Sequence, residues 1–285
     1  MLYELHNEQM TITADPFGAE LHSLCREGRE YLWQAGDAWK RHAPILFPFI
    51  CSPMENRYRA FGDTYTMRAN HGFARDLMFT LLEQTPDSLT FELKDTPDTL
   101  AQYPYPFRFT VRYTLLPDGV KVSHTVYNPG KAPMFFYIGG HPAFNCPLLP
   151  GERFEDYYVE YAQSEHITQR IDGKLVTLLE DGNCLDMTRS LFDHDAIILD
   201  APRSKAVSLR SEKSPHSVTV EFPESGCIAV WSPTGDDRAA FVCLEPWTSL
   251  PVYADDDTPD LEEKAHAIRL APGEEYSYAY TIRVQ

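Results

Sequence analysis

Apolar and polar residues alternate most regularly between positions 107 and 127. Polar residues separate the apolar members of this series, which are Phe107, Phe109, Val111, Tyr113, Leu115, Val120, Val122 and Val126. A period of two is typical of strands with one buried face, and the Pro-Asp-Gly sequence at 117–119 favours a tight turn. The pattern predicts a β-hairpin and puts His124 on its buried face as a core residue.

Short runs of the same kind recur along the chain, for example QMTITA at 9–14, SLTFELK at 88–94, SVTVEF at 217–222 and YSYAYTIRV at 276–284. The 22 prolines interrupt most potential helices, and only DLEEKAH at 260–266 has helical character, enough for one turn. The separations between runs are too short for parallel crossovers. We therefore predict an all-β sandwich or barrel of mostly antiparallel strands, and one domain over residues 1–285 because no linker or repeat interrupts it.

Composition limits the classes of binding partner and the cellular compartment that we expect for this protein. The formal net charge of −17, with no basic run, argues against nucleic acid or an anionic membrane as a partner. The first residues lack a secretory signal pattern, and no apolar stretch approaches the roughly 20 residues of a membrane helix. The six cysteines are widely spaced, as free thiols in a reducing compartment would be. We expect a cytoplasmic protein.

Three segments differ from ordinary strand or turn sequence: NHGFARD at 70–76, FFYIGGHPAFNCP at 135–147 and FVCLEPW at 241–247. In the first, Gly72 indicates a sharp turn or a close approach of another backbone. In the third, Glu245 is a carboxylate in an apolar run, which costs free energy unless the group is paired or used. Because Pro246 is expected to end the strand, the pattern predicts Glu245 at a rim, where concave sites form.

The titratable residues of these segments form a candidate acid–base set. His71 and His141 titrate near neutral pH, and burial raises the pKa of a carboxyl such as Glu245. Such a set suits a reaction that removes one proton and delivers another at pH 7. Arg75 and Asn145 could bind hydroxyls, while the rings of Phe73, Phe144 and Trp247 could pack on a neutral sugar ring.

Each of these residues also has a structural interpretation. His71 could be a turn residue, Glu245 could pair with an arginine, and Gly139-Gly140 could form a β-bulge. Six further histidines have no chemical context and are interpreted as surface or structural residues: His6, His22, His42, His166, His216 and His266.

At these segments the sequence resembles the aldose 1-epimerase (galactose mutarotase) superfamily, and most closely its bacterial LacX-like branch. The segments NHGFAR, GGHPAFN and CLEPW occur in the family's order. Three further stretches are also similar: GAELHSL at 18–24, PILFPF at 44–49 and LAPGEEYSYAYTI at 270–282. The resemblance therefore covers nearly the whole chain.

The resemblance implies a β-supersandwich fold and a cofactor-independent reaction that interconverts the α and β anomers of an aldose through ring opening. Carried onto this sequence, Glu245 is the base and His141 is the acid. His71 would hydrogen-bond the ring oxygen or neighbouring hydroxyls, and Arg75 would bind substrate. The expected ligand is a glucose-like or galactose-like monosaccharide, and no metal is expected.

Further substrate-binding residues follow from the same resemblance. Asp193, in LFDHDAIIL, matches a segment whose acidic residue binds sugar hydroxyls, and Asp195 is an equal rival. The family commonly has a Gly-Arg pair soon after the segment matching PILFPF, whereas this chain has Ile-Cys-Ser-Pro at 50–53. Arg57 or Arg59 is the candidate replacement for that arginine.

Three other functions remain open from the residues. The scaffold could bind or sense carbohydrate without turnover. It could act on a sugar phosphate, which needs additional cations at the rim of the pocket. It could also be a metal-dependent enzyme that uses His71, His141 and Glu245, although no close HxH or HxxxE pair supplies two ligands from one strand.

Overall fold

Antiparallel strands form nearly all of the regular structure in the computed structural model, which describes residues 1–235, 239–255 and 257–285. In chain order the strands are β1 (Tyr3–His6), β2 (Met10–Asp15), β3 (Glu20–Arg26), β4 (Arg29–Glu30), β5 (Ile45–Leu46), β6 (Arg57–Ala60), β7 (Asp63–Thr66), β8 (Thr80–Gln84), β9 (Ser88–Lys94), β10 (Arg108–Leu116), β11 (Gly119–Tyr127), β12 (Met134–Phe136), β13 (Gly139–Gly140), β14 (Ala143–Asn145), β15 (Tyr157–Ile171), β16 (Lys174–Asp186), β17 (Ile197–Asp200), β18 (Ala206–Ser211), β19 (Ser214–Glu221), β20 (Cys227–Trp231), β21 (Phe241–Trp247), β22 (Ile268–Leu270) and β23 (Glu275–Val284).

Helical structure in the described ranges is confined to single turns. The α-helix α1 spans Pro97–Leu100, and 3-10 turns span Met54–Asn56, Ala74–Asp76, Phe154–Asp156, Arg189–Phe192, Val252–Asp255 and Leu261–Glu263. The prediction of a mostly antiparallel all-β fold with very little helix is confirmed. Within the same ranges, no helix has the length and apolar character needed to cross a membrane, and all six cysteines are free thiols, as expected.

The hairpin predicted from the alternating pattern forms as β10 and β11. Its register pairs Phe109 with Val126 and Val111 with His124, so the apolar positions share one buried face. The His124 ring is fully buried and stacks against the rings of Phe109 and Tyr278. The prediction of His124 as a core residue is confirmed.

Two large sheets enclose the core. The first has nine strands in the order β16-β15-β18-β19-β23-β11-β10-β9-β8, and the second has the order β17-β20-β21-β13-β5, with β14 also paired to β21. Between them, the rings of Phe47 and Phe109 stack with centroids 4.6 Å apart. β1 to β4 form a separate four-stranded sheet, and two-stranded pairs join β6 with β7 and β12 with β22.

The expectation that Pro246 ends its strand is wrong, because β21 continues through it to Trp247. The backbone N–H groups of Leu244 and Thr248 donate to the carbonyl oxygens of Pro142 and Ile138, at 3.3 and 3.1 Å. Pro246 lies midway between these two donors, where the pairing of β21 with β13 and β14 is interrupted. The missing N–H therefore falls in a gap, and bonds on both sides hold the strand. Glu245 lies inside a central strand rather than at its end.

Candidate active site

His141 lies across from Glu245, in the interruption between β13 and β14. β13 and β14 pair with β21 in one common register, Gly139 with Trp247 and Ala143 with Cys243, on the two sides of the interruption. That register puts His141 opposite Glu245, and the His141 Nε2 atom lies 3.3 Å from the Glu245 Oε2 atom. Residues more than a hundred positions apart in sequence thus meet as cross-strand neighbours.

The glycines before His141 allow β13 to pack closely. A Cβ atom on Gly139 would lie 2.6 Å from the indole ring of Trp247, and one on Gly140 would lie 2.5 Å from the Tyr280 hydroxyl. Both residues pair in regular register, Gly139 with Leu46 and Gly140 with Ile45, so they do not form a β-bulge. The close packing fixes the strand that carries His141.

The His71 side chain is held by the backbone of Cys51. The Cys51 N–H donates to His71 Nδ1, and the His71 N–H donates to the Cys51 carbonyl oxygen, both at 3.0 Å. Because Nδ1 accepts, we assign the proton of the neutral ring to Nε2, which is then the donor. Burial lowers the pKa of His71 well below its usual value, and His141 adds to the effect. His71 is therefore a neutral hydrogen-bond donor at pH 7.

Gly72 gives His71 its position. Its φ of +74° follows a φ of +61° at His71, so the chain makes a left-handed turn. A Cβ atom on Gly72 would overlap the Phe47 carbonyl oxygen, which accepts hydrogen bonds from Phe73 and Ala74 N–H at 3.1 Å. The sharp turn and the close approach expected at this glycine are both present.

Arg75 follows in the 3-10 turn Ala74–Asp76, and its side chain is 14% exposed. Burial lowers the pKa of Arg75 to about 10, with a contribution from Arg41, so the guanidinium stays charged at neutral pH. Its Nε atom is buried without a hydrogen-bond partner. The carboxylate of Asp76 lies 4.0 Å from this atom, beyond hydrogen-bond distance, so a ligand oxygen would complete its hydrogen bonding.

These groups line a cavity of about 370 Å³. Its lining residues are Trp39, Cys51, Asn70, His71, Arg75, His141, His194, Asp195, Ala196, Ile198, Trp231, Glu245, Trp247 and Tyr253. Of the seven buried side-chain polar atoms without a partner among the described residues, four belong to this lining: Arg75 Nε, His141 Nδ1, Glu245 Oε2 and Trp247 Nε1. Such a concentration of unsatisfied groups is typical of a site that completes its hydrogen bonds with a ligand.

Burial sets the protonation of the central pair. It raises the pKa of Glu245 well above its usual value, and the charge of Asp195 acts in the same direction. It lowers the pKa of His141 to about 3, and the charge of Arg75 adds to that effect. Burial therefore favours the protonated carboxyl of Glu245 and the neutral imidazole of His141. The two side chains lie 3.3 Å apart, and Glu245 Oε2 has no hydrogen-bond partner.

Of the predicted site residues, His71, Arg75, His141, Glu245 and Trp247 line the cavity, and so does Asp195, the rival of Asp193. Asp193 lies outside it, in a shallow neighbouring depression.

Four other predicted site residues, two aromatic and two polar, do not line the cavity. Phe144 and Phe73 are core residues. The Asn145 side-chain amide donates to the Glu30 carbonyl oxygen at 3.0 Å. Arg57 is exposed on β6 near Glu55. Each of these side chains is directed into the core, to a backbone partner or to solvent.

Neither candidate replacement for the arginine of the Gly-Arg pair lies in the cavity lining. Arg59 lies 3.4 Å from Asp260, outside the cavity lining. Cys51 lines the cavity instead, from the segment that departs from the family pattern, and burial raises the pKa of its thiol. A neutral thiol therefore lines the wall there.

Sequence reasoning missed most of the aromatic wall. The ring of Trp39 stacks on His141 with centroids 5.0 Å apart, and Trp231 meets the same imidazole edge-on at 5.6 Å. Asn70, His194 and Tyr253 were also missed. A usable signal was the rarity of tryptophan, since three of the four in this chain line the cavity.

Among the described residues, two clusters have the residue types of a metal site. The first joins His141 and Glu245 with Cys243, but burial raises the pKa of that thiol well above its usual value, and metals bind the thiolate. The second joins Glu20, His22 and His42, whose imidazoles stack 4.0 Å apart at an interplanar angle of 18°. Nitrogen lone pairs in separate, nearly parallel planes do not converge on one ion. His71 joins neither cluster.

Comparison with known proteins gives a consistent result. The model of the family described as aldose 1-epimerase matches residues 1–283. The plasmid-encoded protein LacX of Lactococcus lactis is 36% identical, over all of this chain and 99% of that protein.

Solved structures agree in fold. A galactose mutarotase related enzyme from Lactobacillus acidophilus has 32% identity and a TM-score of 0.91, over all of this chain and 97% of that one. A galactose mutarotase-like protein from Lactobacillus casei has 30% identity and the same TM-score, over the full length of both chains. The all-β architecture described above is thus galactose mutarotase-like.

Proposed function

The chain belongs to the aldose 1-epimerase family, and from that premise we propose that it is a cofactor-independent mutarotase that interconverts the α and β anomers of a hexose. The observation that carries the proposal is the 3.3 Å contact between His141 Nε2 and Glu245 Oε2 inside a cavity of about 370 Å³. The cavity falls in the size range of small-molecule sites, and the pair supplies an adjacent acid and base.

In the proposed reaction, Glu245 and His141 each transfer one proton. The Glu245 carboxylate accepts the proton of the C1 hydroxyl while the His141 imidazolium donates a proton to the ring oxygen. The bond between C1 and the ring oxygen breaks, and C1 becomes an aldehyde. After rotation about C1–C2, the reverse transfers close the ring on the other face and restore both groups.

The resting pair needs one internal step to reach these forms. Burial favours a protonated Glu245 and a neutral His141. Transfer of that proton to His141 produces the carboxylate and the imidazolium without exchange with solvent. Hydroxyl groups of a bound sugar favour this charged form because they hydrogen-bond to the carboxylate and the imidazolium.

His71 and Arg75 are proposed to bind the sugar. With Nδ1 occupied by the Cys51 N–H, His71 has an Nε2–H to offer to the ring oxygen or a neighbouring hydroxyl. Arg75 has a charged guanidinium whose Nε atom lacks a hydrogen-bond partner. Trp247, Trp39 and Trp231 supply apolar faces of the kind on which sugar C–H groups pack.

Polarimetry tests the proposal directly. The optical rotation of freshly dissolved α-D-glucose and α-D-galactose should relax faster with the protein than without it, and equally fast after treatment with a chelator. An unchanged relaxation rate at micromolar protein would contradict the mutarotase proposal. Loss of activity with the chelator, restored by added metal, would favour the metal-dependent alternative.

Binding of a sugar without turnover is the second candidate, favoured by Cys51. This thiol lines the cavity in the segment where the family commonly has a sugar-contacting arginine. Calorimetric titration separates the two candidates, because a sensor binds the hexose with no acceleration of mutarotation.

A phosphorylated sugar is less favoured. Among the described residues, Arg75 is the one lysine or arginine in the cavity lining, which also contains the carboxyl groups of Asp195 and Glu245. We therefore expect glucose 6-phosphate to compete poorly with glucose.

A further inference from the structure

Glu20 is a buried carboxylate in the GAELHSL segment that lies outside the cavity lining. Glu20 is the first residue of β3 and is 6% exposed. Its Oε1 atom accepts two backbone hydrogen bonds, from His42 N–H at 2.7 Å and from Ala43 N–H at 2.9 Å. A charged acceptor of two buried donors is a strong anchor for a segment without regular structure.

The segment that Glu20 holds is the backbone partner of His141. The carbonyl oxygen of Pro44 accepts the His141 N–H at 3.0 Å, and that of His42 accepts the Ala143 N–H at 2.9 Å. Residues 42–44 thus have Glu20 on one side and residues 141–143 on the other. A displacement of this segment would move His141 relative to Glu245.

Glu20 keeps its negative charge in the folded protein. Burial acts to raise the pKa of Glu20, but its interaction with His22 and the two backbone donors outweigh burial, so the pKa is lowered. The His22 Nε2 atom lies 3.7 Å from Glu20 Oε2, and the His22 ring stacks on His42. The cluster therefore supports the backbone at His42 from two directions.

We propose that Glu20 is a positioning residue, which sets the distance between His141 and Glu245 by anchoring the backbone of residues 42–44. The kinetic consequence rests on the proposed mutarotase function, whereas the structural consequence does not. Misplacement of a catalytic group by about 1 Å costs on the order of a hundredfold in rate.

The test compares Glu20→Ala and Glu20→Gln with Glu165→Ala as the matched control. Glu165 is also buried and its Oε1 atom accepts the Ser204 N–H at 2.6 Å, outside the cavity lining. Glu20→Ala should lower kcat about tenfold or more with KM within about threefold of wild type. Glu20→Gln, which keeps an oxygen acceptor, should stay within about threefold of wild type. Glu165→Ala should lower thermal stability without lowering kcat.

Amide hydrogen exchange gives a readout that does not depend on activity. In Glu20→Ala, the amides of His141 and Ala143 should exchange faster, while they keep wild-type rates in Glu165→Ala. Wild-type kcat together with wild-type exchange in Glu20→Ala would overturn the proposal. If Glu20→Ala does not fold, Glu20→Asp replaces it in the comparison. The shorter side chain of Glu20→Asp should lower kcat, whereas Glu20→Gln should not. Equal kcat values for Glu20→Asp and Glu20→Gln would overturn the proposal.

The two proposals fail in different ways. A wild-type protein that does not accelerate mutarotation contradicts the function, and the exchange rates at His141 and Ala143 still decide the role of Glu20. An active wild type with an equally active, normally protected Glu20→Ala contradicts only the positioning role.

Discussion

His141 Nε2 and Glu245 Oε2 lie 3.3 Å apart across an interruption in the ladder between neighbouring strands. Both side chains are buried, and burial shifts their two pKa values in opposite directions. Burial therefore favours the uncharged form of each group.

Glu245→Gln should lower the mutarotation rate about 100-fold or more, because the amide cannot act as a general base. Polarimetry with α-D-galactose measures the effect. Glu165→Gln is the control, since it alters a buried carboxylate outside the cavity lining and should keep the wild-type rate. A near-wild-type rate for Glu245→Gln would remove Glu245 from the mechanism.

The same substitution should stabilise the protein. The pKa of Glu245 is raised in the folded state, so above the unfolded value near 4.5 the unfolded chain releases a proton that the folded chain keeps. Wild type loses about 1.4 kcal/mol per pH unit in this window, until the folded group also ionises. Denaturant unfolding of Glu245→Gln should show higher stability at pH 7 and no gain near pH 4. A lower stability at pH 7 would contradict the assigned protonation.

His141→Asn should slow mutarotation by about 100-fold or more while the protein remains folded, since the acid is lost. His124→Asn is the matched control, because His124 is an equally buried imidazole in the core, outside the cavity lining. That variant should change thermal stability and leave the rate unchanged. If His141→Asn unfolds and His124→Asn does not, the role of His141 is structural.

Much of the fold could be predicted because strand periodicity is local. The alternation at 107–127 identifies a hairpin from neighbouring residues alone, and the buried position of His124 follows from it. The interruption opposite Pro246 could not be predicted, since it depends on how residues 138–142 pair with a strand a hundred positions away.

The candidate site was predictable only in part, for a related reason. Trp247 lies two residues from Glu245 and shares its face, whereas Phe144 lies three residues from His141 and faces the core. The NHGFARD and GGHPAFN segments thus identified the chemistry but not which neighbours face the cavity. Glu20 gave no signal, because its role depends on backbone groups that have no sequence signature.

The profile of kcat/KM against pH should show no loss of activity as the pH falls through 6.5. Activity requires one proton on the His141–Glu245 pair, and His141, with a pKa of about 3, takes up a second proton only in strong acid. As the pH rises through the raised pKa of Glu245, the pair loses its proton and activity falls. Polarimetric rates between pH 4 and 9, corrected for uncatalysed mutarotation, test this expectation. A loss of activity as the pH falls through 6.5 would indicate an imidazole with an ordinary pKa.

Arg75→Met should raise KM for the hexose about tenfold or more, because a hydrogen bond from a charged group contributes about 1.5–3 kcal/mol. Arg57→Met and Arg59→Met should leave KM unchanged, since both side chains lie outside the cavity lining. Initial rates at varied sugar concentration measure all three variants. An increase in KM for Arg57→Met or Arg59→Met, and none for Arg75→Met, would reverse the assignment.

Gly72→Ala should destabilise the protein more than Gly62→Ala, although both glycines have a positive φ, +74° and +83°. In Gly62→Ala the added methyl group meets no atom within 4 Å, so only the left-handed strain of about 1–2 kcal/mol applies. In Gly72→Ala the methyl group would overlap the Phe47 carbonyl oxygen, and the turn must move. That movement displaces His71 from the Cys51 backbone, so mutarotation should slow as well. Denaturant unfolding and polarimetry on both variants measure the two effects; equal stability losses with wild-type rates would show that the close approach at Gly72 does not position His71.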